Sequence, residues 1–177
     1  MLLPQPSPFV KKLAPTIAAA AKDLPVLDVA CGGGRNAFVF AQLGCQVVCV
    51  DKDLSPLDAF IGRLRGSPLV DIANRLRLHP LDLVLNEWPF GKAEFGAIIN
   101  VHFFLPALLH QFEMSLWPRG YLLLETAPGC GGNYRDLPKA GHVKQVLSAG
   151  FGLEYYREGR AGPAVSVKAF ARKRPIG

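Results

Sequence analysis

The sequence predicts a doubly wound α/β fold whose sheet is mostly parallel and ends in an antiparallel hairpin. Short apolar runs typical of buried strands alternate with helical patterns over most of the 177 residues. The first run passes through three consecutive glycines, residues 32–34, directly into a helical pattern. Such a turn is typical of the first strand–helix unit in folds that bind nucleotide-like ligands. Near the C-terminal end, two strand-like runs follow each other without a helix between them, which predicts the hairpin.

Apolar periodicity, caps and breakers place the elements in chain order. Ser7 and Pro8 have the residue types of an N-cap and a first helical residue, and we expect a break in this helix at Pro15. Residues 118–120 are a turn signal before the fifth strand, and residues 159–163 are a loop signal between the last two strands. The predicted strands cover residues 26–30, 46–50, 76–81, 95–101, 121–125, 153–157 and 165–171, and the predicted helices cover residues 8–22, 36–43, 106–115 and 138–148, with a further helix from Ser55 and a helical turn at 69–73.

The chain has the size and composition of one folded domain. Hydrophobic residues make up 50% of it and charged residues 19%, which suits a chain with a sizeable core. We therefore predict a single domain over residues 1–177, on which an N-terminal helical segment, residues 1–24, packs. The net charge of +6 includes the basic cluster at 172–174, which we interpret as ordinary surface charge. A nucleic-acid partner stays open, without further support in the sequence.

The four cysteines are too few for a disulfide framework in a chain of this size. We expect reduced thiols, a cytoplasmic location and no metal site. The alanine-rich stretch at 18–21 lacks the large apolar residues of a signal peptide. No stretch is long and apolar enough to span a membrane, so we expect no membrane partner.

The charge at the end of the first strand indicates which ligand the glycine turn receives. Asp28 stands where a dinucleotide site would hold a diphosphate, and its negative charge opposes one. The same charge suits S-adenosylmethionine (SAM), which carries a sulfonium and an ammonium group. Arg35 and Asn36 open the following helix, whose free backbone N–H groups favour the carboxylate of such a ligand. The sequence therefore favours SAM over NAD.

Polar residues also follow the next three strands, at the edge where ligands gather in parallel sheets. We expect Asp51 to accept hydrogen bonds from two ribose hydroxyls. We expect Asp82 to accept one from the adenine amino group, with Leu83 offering a backbone N–H to the ring. Asn100 is assigned to the methionine end of the ligand. On the alternative interpretation, each carboxylate is a turn former or a helix cap.

The sequence resembles the class I SAM-dependent methyltransferases from residue 26 to the terminal hairpin. The resemblance rests on Asp-Val-Ala-Cys-Gly-Gly-Gly-Arg-Asn at 28–36, Val-Cys-Val-Asp-Lys-Asp at 48–53 and the Asp-Leu pair at 82–83. Arg-Asn directly after the glycines looks most like the small tellurite-resistance and thiopurine-type branch. The resemblance implies a seven-stranded sheet with the last strand antiparallel. The full set of expected cofactor-binding residues is Asp28, Ala30, Gly32, Gly34, Arg35, Asn36, Asp51, Lys52, Asp82, Leu83 and Asn100.

Methyl transfer from a sulfonium is an in-line displacement that needs a base only when the acceptor arrives protonated. Enzymes of this kind that methylate adenine or glutamine nitrogens often carry Asn/Asp-Pro-Pro-aromatic after the fourth strand. Residues 100–104 read Asn-Val-His-Phe-Phe, which disfavours those targets. His102 is a candidate general base by residue type. Its alternative role is that of a histidine fixed beneath the cofactor by a backbone hydrogen bond.

The loop at 127–138 leaves the fifth strand on the ligand side and is rich in glycine. We predict that it closes over the substrate as a lid, with Asn133, Tyr134 and Arg135 on its inner face and Tyr134 as a second candidate catalytic residue. The alternative is a long loop with turn residues and no such role. Cys130 lies in the same loop, but nothing in the sequence supports its activation.

These observations predict a SAM-dependent methyltransferase that acts on a small or anionic acceptor and releases S-adenosylhomocysteine. An RNA or protein acceptor stays open. A second hypothesis is a non-catalytic module of the same fold that binds SAM or a partner. A third, an NAD-dependent oxidoreductase, is opposed by Asp28, by Ala37 in place of a third spaced glycine, and by the terminal hairpin.

Overall fold

Seven strands form one sheet in this structure, a computed structural model that describes residues 5–21, 23–126, 137–161 and 164–175. The central strands of the sheet consist largely of apolar residues, which suit a buried pleated surface. The strands are β1 (Val26–Val29), β2 (Val47–Asp51), β3 (Leu76–Pro80), β4 (Phe95–Val101), β5 (Leu116–Glu125), β6 (Phe151–Ala161) and β7 (Ala164–Lys173).

The strand order is β3-β2-β1-β4-β5-β7-β6. Strands β1 to β5 pair in parallel, and β7 pairs antiparallel with both β5 and β6. The prediction of a doubly wound, mostly parallel, seven-stranded sheet with an antiparallel terminal hairpin is therefore confirmed. The order reverses between β1 and β4, and ligands bind beyond the carboxyl ends of the strands at such a reversal.

Helices cover both faces of the sheet. The first helices pack on one face around Val26, Cys49 and Ile99, whereas the last two pack on the other around Leu27 and Ile98. Neighbouring strand residues thus belong to opposite cores, as the period of two in a strand requires. The helices are α1 (Pro8–Ala21), α2 (Arg35–Gln42), α3 (Ser55–Arg65), α4 (Val70–Ala73), α5 (Leu108–Ser115) and α6 (His142–Gly150).

Helix α1 runs through Pro15 without interruption, so the predicted break is wrong. Pro15 is exposed, whereas Val10, Ala14 and Ile17 form the buried side of the helix. Burial of that side against the sheet holds the helix together despite the backbone donor that proline lacks. The predicted N-cap is confirmed, since the Ser7 hydroxyl accepts a hydrogen bond from the Phe9 N–H at 3.1 Å.

Strand β5 begins at Leu116, five residues before the predicted start. The turn signal at 118–120 lies inside it, where the pairing with β4 changes register between Phe95 and Ala97. Arg119 takes a left-handed φ of 68° at this irregularity. Proline and glycine therefore mark a bulge here rather than the end of a strand.

The C-terminal boundaries also differ from the prediction. Helix α6 begins at His142 rather than at residue 138 and extends to Gly150. Strand β6 continues to Ala161, and Gly159 pairs with Ser166, so residues predicted as loop form the end of the hairpin. Tertiary pairing with β7 outweighs the weak strand preference of glycine at this position.

Candidate active site

The turn after β1, residues 30–34, brings the backbone close to open space. Gly32 and Gly34 have left-handed φ values of 52° and 75°, and Ala30 has 55°. A Cβ on Gly34 would lie 2.4 Å from a methyl carbon of Leu57, so a side chain here would force Leu57 of α3 to shift. A Cβ on Gly32 or Gly33 would meet no atom of the described residues within 4 Å. The backbone of these two residues is thus open to a ligand.

Asp51, at the end of β2, fixes this turn. Its Oδ2 accepts a hydrogen bond from the Gly32 N–H at 2.8 Å, and its Oδ1 accepts one from the Asp53 N–H at 3.1 Å. The Cys31 N–H donates to the Val50 carbonyl at 3.0 Å. Both carboxylate oxygens keep acceptor capacity for further donors. Lys52 follows Asp51 and is exposed.

Asp28 lies beneath the turn, with 1% of its surface exposed. Burial raises the pKa of its carboxyl to about 7, although the Ala37 N–H and the Arg35 guanidinium favour the charged form. Its Oδ2 has no hydrogen-bond partner among the described residues. A buried carboxylate without a full set of partners is costly, and a cationic ligand above the turn would stabilise it.

His102 follows β4 with a left-handed φ of 62°. Its Nδ1 lies 2.9 Å from the Arg35 guanidinium. Because arginine offers only donors, Nδ1 must carry the lone pair and Nε2 the proton. Burial and the Arg35 charge lower the pKa of His102, so the ring is neutral at pH 7. The backbone N–H of His102 donates to the backbone carbonyl of Glu125 at 2.7 Å. A backbone hydrogen bond is what the alternative role of His102, a histidine fixed beneath the cofactor, requires.

The polar residues after β3 and within β4 are already engaged. Asp82 Oδ1 accepts hydrogen bonds from the backbone N–H groups of Val84 and Leu85 at 2.9 and 3.2 Å. This is the turn-forming role considered as its alternative, and it leaves Oδ2 for other donors. Leu83 is buried. Asn100 is 1% exposed, and its Nδ2 donates to the Val29 carbonyl at 3.3 Å, which joins β4 to β1.

The N-terminal segment is bound directly to this edge of the sheet. The Ser7 N–H donates to Asn36 Oδ1 at 3.0 Å, and the Ser7 hydroxyl donates to the buried carboxylate of Glu125. The other carboxylate oxygen of Glu125 forms an ion pair with Lys168 Nζ at 2.9 Å. We did not predict a role for Glu125 or Lys168. The strand-end position that singled out Asp28 and Asp51 would have identified Glu125, which ends β5.

The basic cluster at 172–174 lies at the opposite end of the strands, where the parallel strands begin. Arg172 pairs in register with Tyr121, at the start of the regular pairing of β5 with β4. Its Nε donates to the Arg119 carbonyl at 3.1 Å, and Lys173 Nζ donates to the Leu116 carbonyl at 2.7 Å. These cations bind backbone carbonyls far from the glycine turn, in agreement with the interpretation as surface charge.

The remaining predictions concern the lid loop, a metal site and a membrane span. Asn133, Tyr134 and Arg135, together with Cys130, lie outside the described residues. Within the described part of the chain, no group of three or more His, Cys, Asp or Glu side chains could hold a metal ion. No helix there is long and apolar enough to cross a membrane.

The reversal in strand order, the glycine turn and the acidic strand ends are those of a doubly wound protein, and ligands of such folds bind beside the reversal. The Methyltransferase domain family matches residues 27–123, more than half of the chain. The chain belongs to this family, and it is a SAM-dependent methyltransferase. The predictions of the enzyme class and of the cofactor are thus confirmed. No curated protein matches the sequence.

Solved structures share the fold at low sequence identity. The glycopeptide N-methyltransferase MtfA, complexed with sinefungin, is 22% identical, with a TM-score of 0.61 over 94% of this chain and 92% of its own. A SAM-dependent methyltransferase from Aquifex aeolicus is 14% identical, with a TM-score of 0.64 over 93% and 89%. The 1,6-didemethyltoxoflavin-N1-methyltransferase of Burkholderia thailandensis is 18% identical, with a TM-score of 0.62 over 94% and 79%.

Proposed function

We propose that SAM binds over the glycine turn and transfers its methyl group to a small, anionic acceptor. The observation that carries the proposal is the open backbone of Gly32 and Gly33, with the buried Asp28 carboxyl beneath it. Asp51 stands beside this space and keeps acceptor capacity for the ribose hydroxyls. Residues 1–177 would act as one domain, and Ala30, Lys52, Asp82 and Leu83 would border the cofactor.

Two of the expected cofactor residues are better assigned to support. The Asn36 side chain already binds the Ser7 N–H, so its contribution to the cofactor comes from its place at the start of α2. The Asn100 side chain is buried against β1. We assign it to holding β1 and β4 together at the point where the strand order reverses.

Bound SAM supplies a methyl group that is already activated for displacement. The residues of the chain therefore need to orient the acceptor and exclude water. His102 is a poor base while Arg35 occupies its Nδ1 and its Nε2 carries the proton. We assign His102 to positioning Arg35, whose positive charge favours the ionised form of the Asp28 carboxyl. An acceptor that arrives as an anion needs no base.

The acceptor class rests on charge. Arg35 places a cation beside the turn, whereas the cations at 172–174 lie at the other end of the strands. This arrangement favours a small anionic acceptor over RNA. The similar proteins named above act, by their names, on a glycopeptide and on 1,6-didemethyltoxoflavin. The tellurite-resistance and thiopurine-type branch stays a prediction that Arg35 and Asn36 support, and Tyr134 stays a candidate catalytic residue.

Calorimetric titration of the purified chain with SAM, S-adenosylhomocysteine and NAD tests the cofactor assignment. We expect micromolar binding of the two adenosyl compounds and none of NAD. The Asp51→Ala variant should bind SAM more weakly by about 2–3 kcal/mol, because two charge-assisted hydrogen bonds are lost. An unchanged affinity would refute the ribose assignment of Asp51. Absence of adenosyl binding in the wild type would favour a non-catalytic module that binds a partner.

A further inference from the structure

A groove separate from the glycine turn lies between α1 and the β6–β7 hairpin. Its volume is about 740 Å³, which is within the range of pockets that hold small molecules. Phe9 and Lys12 line it from α1, and Tyr155, Arg157 and Lys168 line it from the hairpin. Helix α6 packs on the other face of the sheet, so this side of the hairpin is covered only in part. We call this space the α1–hairpin groove.

The lining of the groove is positively charged. Among the described residues, the single ion pair within 4.0 Å joins Lys168 to Glu125, so Lys12 and Arg157 have no carboxylate partner there. Glu154 is the one carboxylate among the described residues that line the groove, and it accepts a hydrogen bond from the Tyr121 hydroxyl at 3.1 Å. An excess of cations along a concave surface attracts anions.

One wall of the groove is aromatic. The rings of Phe9 and Tyr155 lie 5.4 Å apart at an angle of 49°, and Tyr155 is 42% exposed. Lys168 Nζ lies 5.6 Å from the centre of the Phe9 ring. An exposed aromatic surface beside cations fits a ring that carries an anionic group, because the ring can stack while the anion meets the cations.

The groove is connected to the candidate active site through Glu125. Lys168 faces the groove and also pairs with the Glu125 carboxylate at 2.9 Å. The same carboxylate accepts the Ser7 hydroxyl, and the Glu125 carbonyl accepts the His102 N–H. Ser7 directly precedes Pro8, which lines the groove. A ligand in the groove therefore lies one side chain away from residues at the active-site edge.

We propose that the α1–hairpin groove binds one end of the methyl acceptor. This end is an aromatic ring that carries a carboxylate or phosphate group. This inference rests on the proposed function, since it assigns a region of the chain to the acceptor of that reaction. The groove recognises the anion through Lys12 and Arg157 and the ring through Tyr155.

The test is an NMR titration of the full chain with 2-naphthoate, 2-naphthyl phosphate and the uncharged 2-naphthamide. We expect the amide signals of Tyr155 and Lys168 to shift with the two anions, and the tighter of the two identifies the preferred group. The amide should bind about tenfold more weakly or not at all. The Lys12→Ala/Arg157→Ala variant should weaken binding of the anions about tenfold, because each lost charged contact costs on the order of 0.7 kcal/mol.

The matched control is Lys11→Ala/Arg160→Ala, which removes two exposed cations from the same helix and strand that do not line the groove. It should change the dissociation constant less than about twofold. The proposal is overturned if the wild type binds neither anion, if both double variants weaken binding equally, or if neither does. SAM titration of the same samples tests the proposed function separately from the groove. If the wild type does not bind SAM, the proposed function is wrong, whatever the groove binds.

Discussion

Asp28 makes the stability of the fold depend on pH. Burial raises the pKa of its carboxyl from 3.8 to about 7 in the folded chain. Between these values the unfolded chain releases a proton that the folded chain retains. The contribution of Asp28 to the free energy of unfolding therefore falls as the pH rises from about 4 to about 7, by up to about 4 kcal/mol, and this contribution is constant above that range.

The Asp28→Asn variant should lack this contribution. We expect its free energy of unfolding, relative to that of the wild type, to rise between pH 4 and pH 8 by a few kcal/mol, as measured by urea denaturation in the absence of SAM. Asp58→Asn, at an exposed carboxylate in α3, is the control and should show no such trend. Parallel pH curves for wild type and Asp28→Asn would contradict the assignment.

Gly32 should be required for cofactor binding rather than for folding. Gly32→Ala adds a Cβ that has no atom within 4 Å in the part of the chain that the structure describes, so the carbon enters the space proposed for the cofactor. Gly44→Ala is matched, because Gly44 also has a left-handed φ, of 92°, and open surroundings, and it follows the end of α2. Both variants should lose about 1–2 kcal/mol of stability from backbone strain. By calorimetry, SAM affinity should fall about tenfold or more for Gly32→Ala alone. Equal affinities of the two variants for SAM would refute the close approach.

Residue type and position predicted most of the polar groups at the site but not their existing partners. Asp51 and Asp82 follow apolar strands, and that position is visible in the sequence. The bonds from Asp51 to the Gly32 N–H and from Asn36 to the Ser7 N–H are tertiary contacts between distant segments, and no local pattern encodes them. The pairing of Arg35 with His102, which changes the interpretation of the histidine, arises in the same way.

At the scale of elements, Ser7 joins helix α1 to the edge of the sheet where the site lies. Ser7→Ala removes both an N-cap and a donor to the buried Glu125 carboxylate. Ser67→Ala removes a hydroxyl that accepts the Leu69 N–H at 3.2 Å in the same local pattern and donates to the Leu64 backbone carbonyl at 2.8 Å, with no carboxylate as partner. We expect urea denaturation to give a loss of about 2–3 kcal/mol for Ser7→Ala and about 1 kcal/mol for Ser67→Ala. Equal losses would mean that the contact with Glu125 contributes nothing.

Element boundaries were the least predictable part of the fold. Proline and glycine lower local preference for a helix or strand, but they do not report what neighbouring segments gain by packing. Pro15 stays within α1 because the other side of that helix is buried, and residues 118–120 stay within β5 because β4 accommodates a change of register. The centres of the elements, where apolar runs face both cores, agree with the prediction.

At the scale of the whole molecule, the sequence predicted the topology because each strand is bounded by turn residues and each helix by a cap or breaker. The seven strands and the antiparallel end of the sheet agree with the structure. The distribution of charge could not be predicted in this way. The cations at 172–174 are adjacent in sequence yet lie far from the site, whereas Lys12, Arg157 and Lys168 are distant in sequence and line one groove.

The Ser7 contacts also bear on the order in which the protein matures during synthesis. Ser7 is synthesised 118 residues before its partner Glu125, and the lysine that balances Glu125 comes later still. Contacts with such a large sequence separation form late in folding. The contact of Ser7 with the Glu125 carboxylate, and the ion pair that balances this carboxylate, can therefore form only after β5 and β7 have been made. A nascent chain before that stage is the form most in need of protection from aggregation.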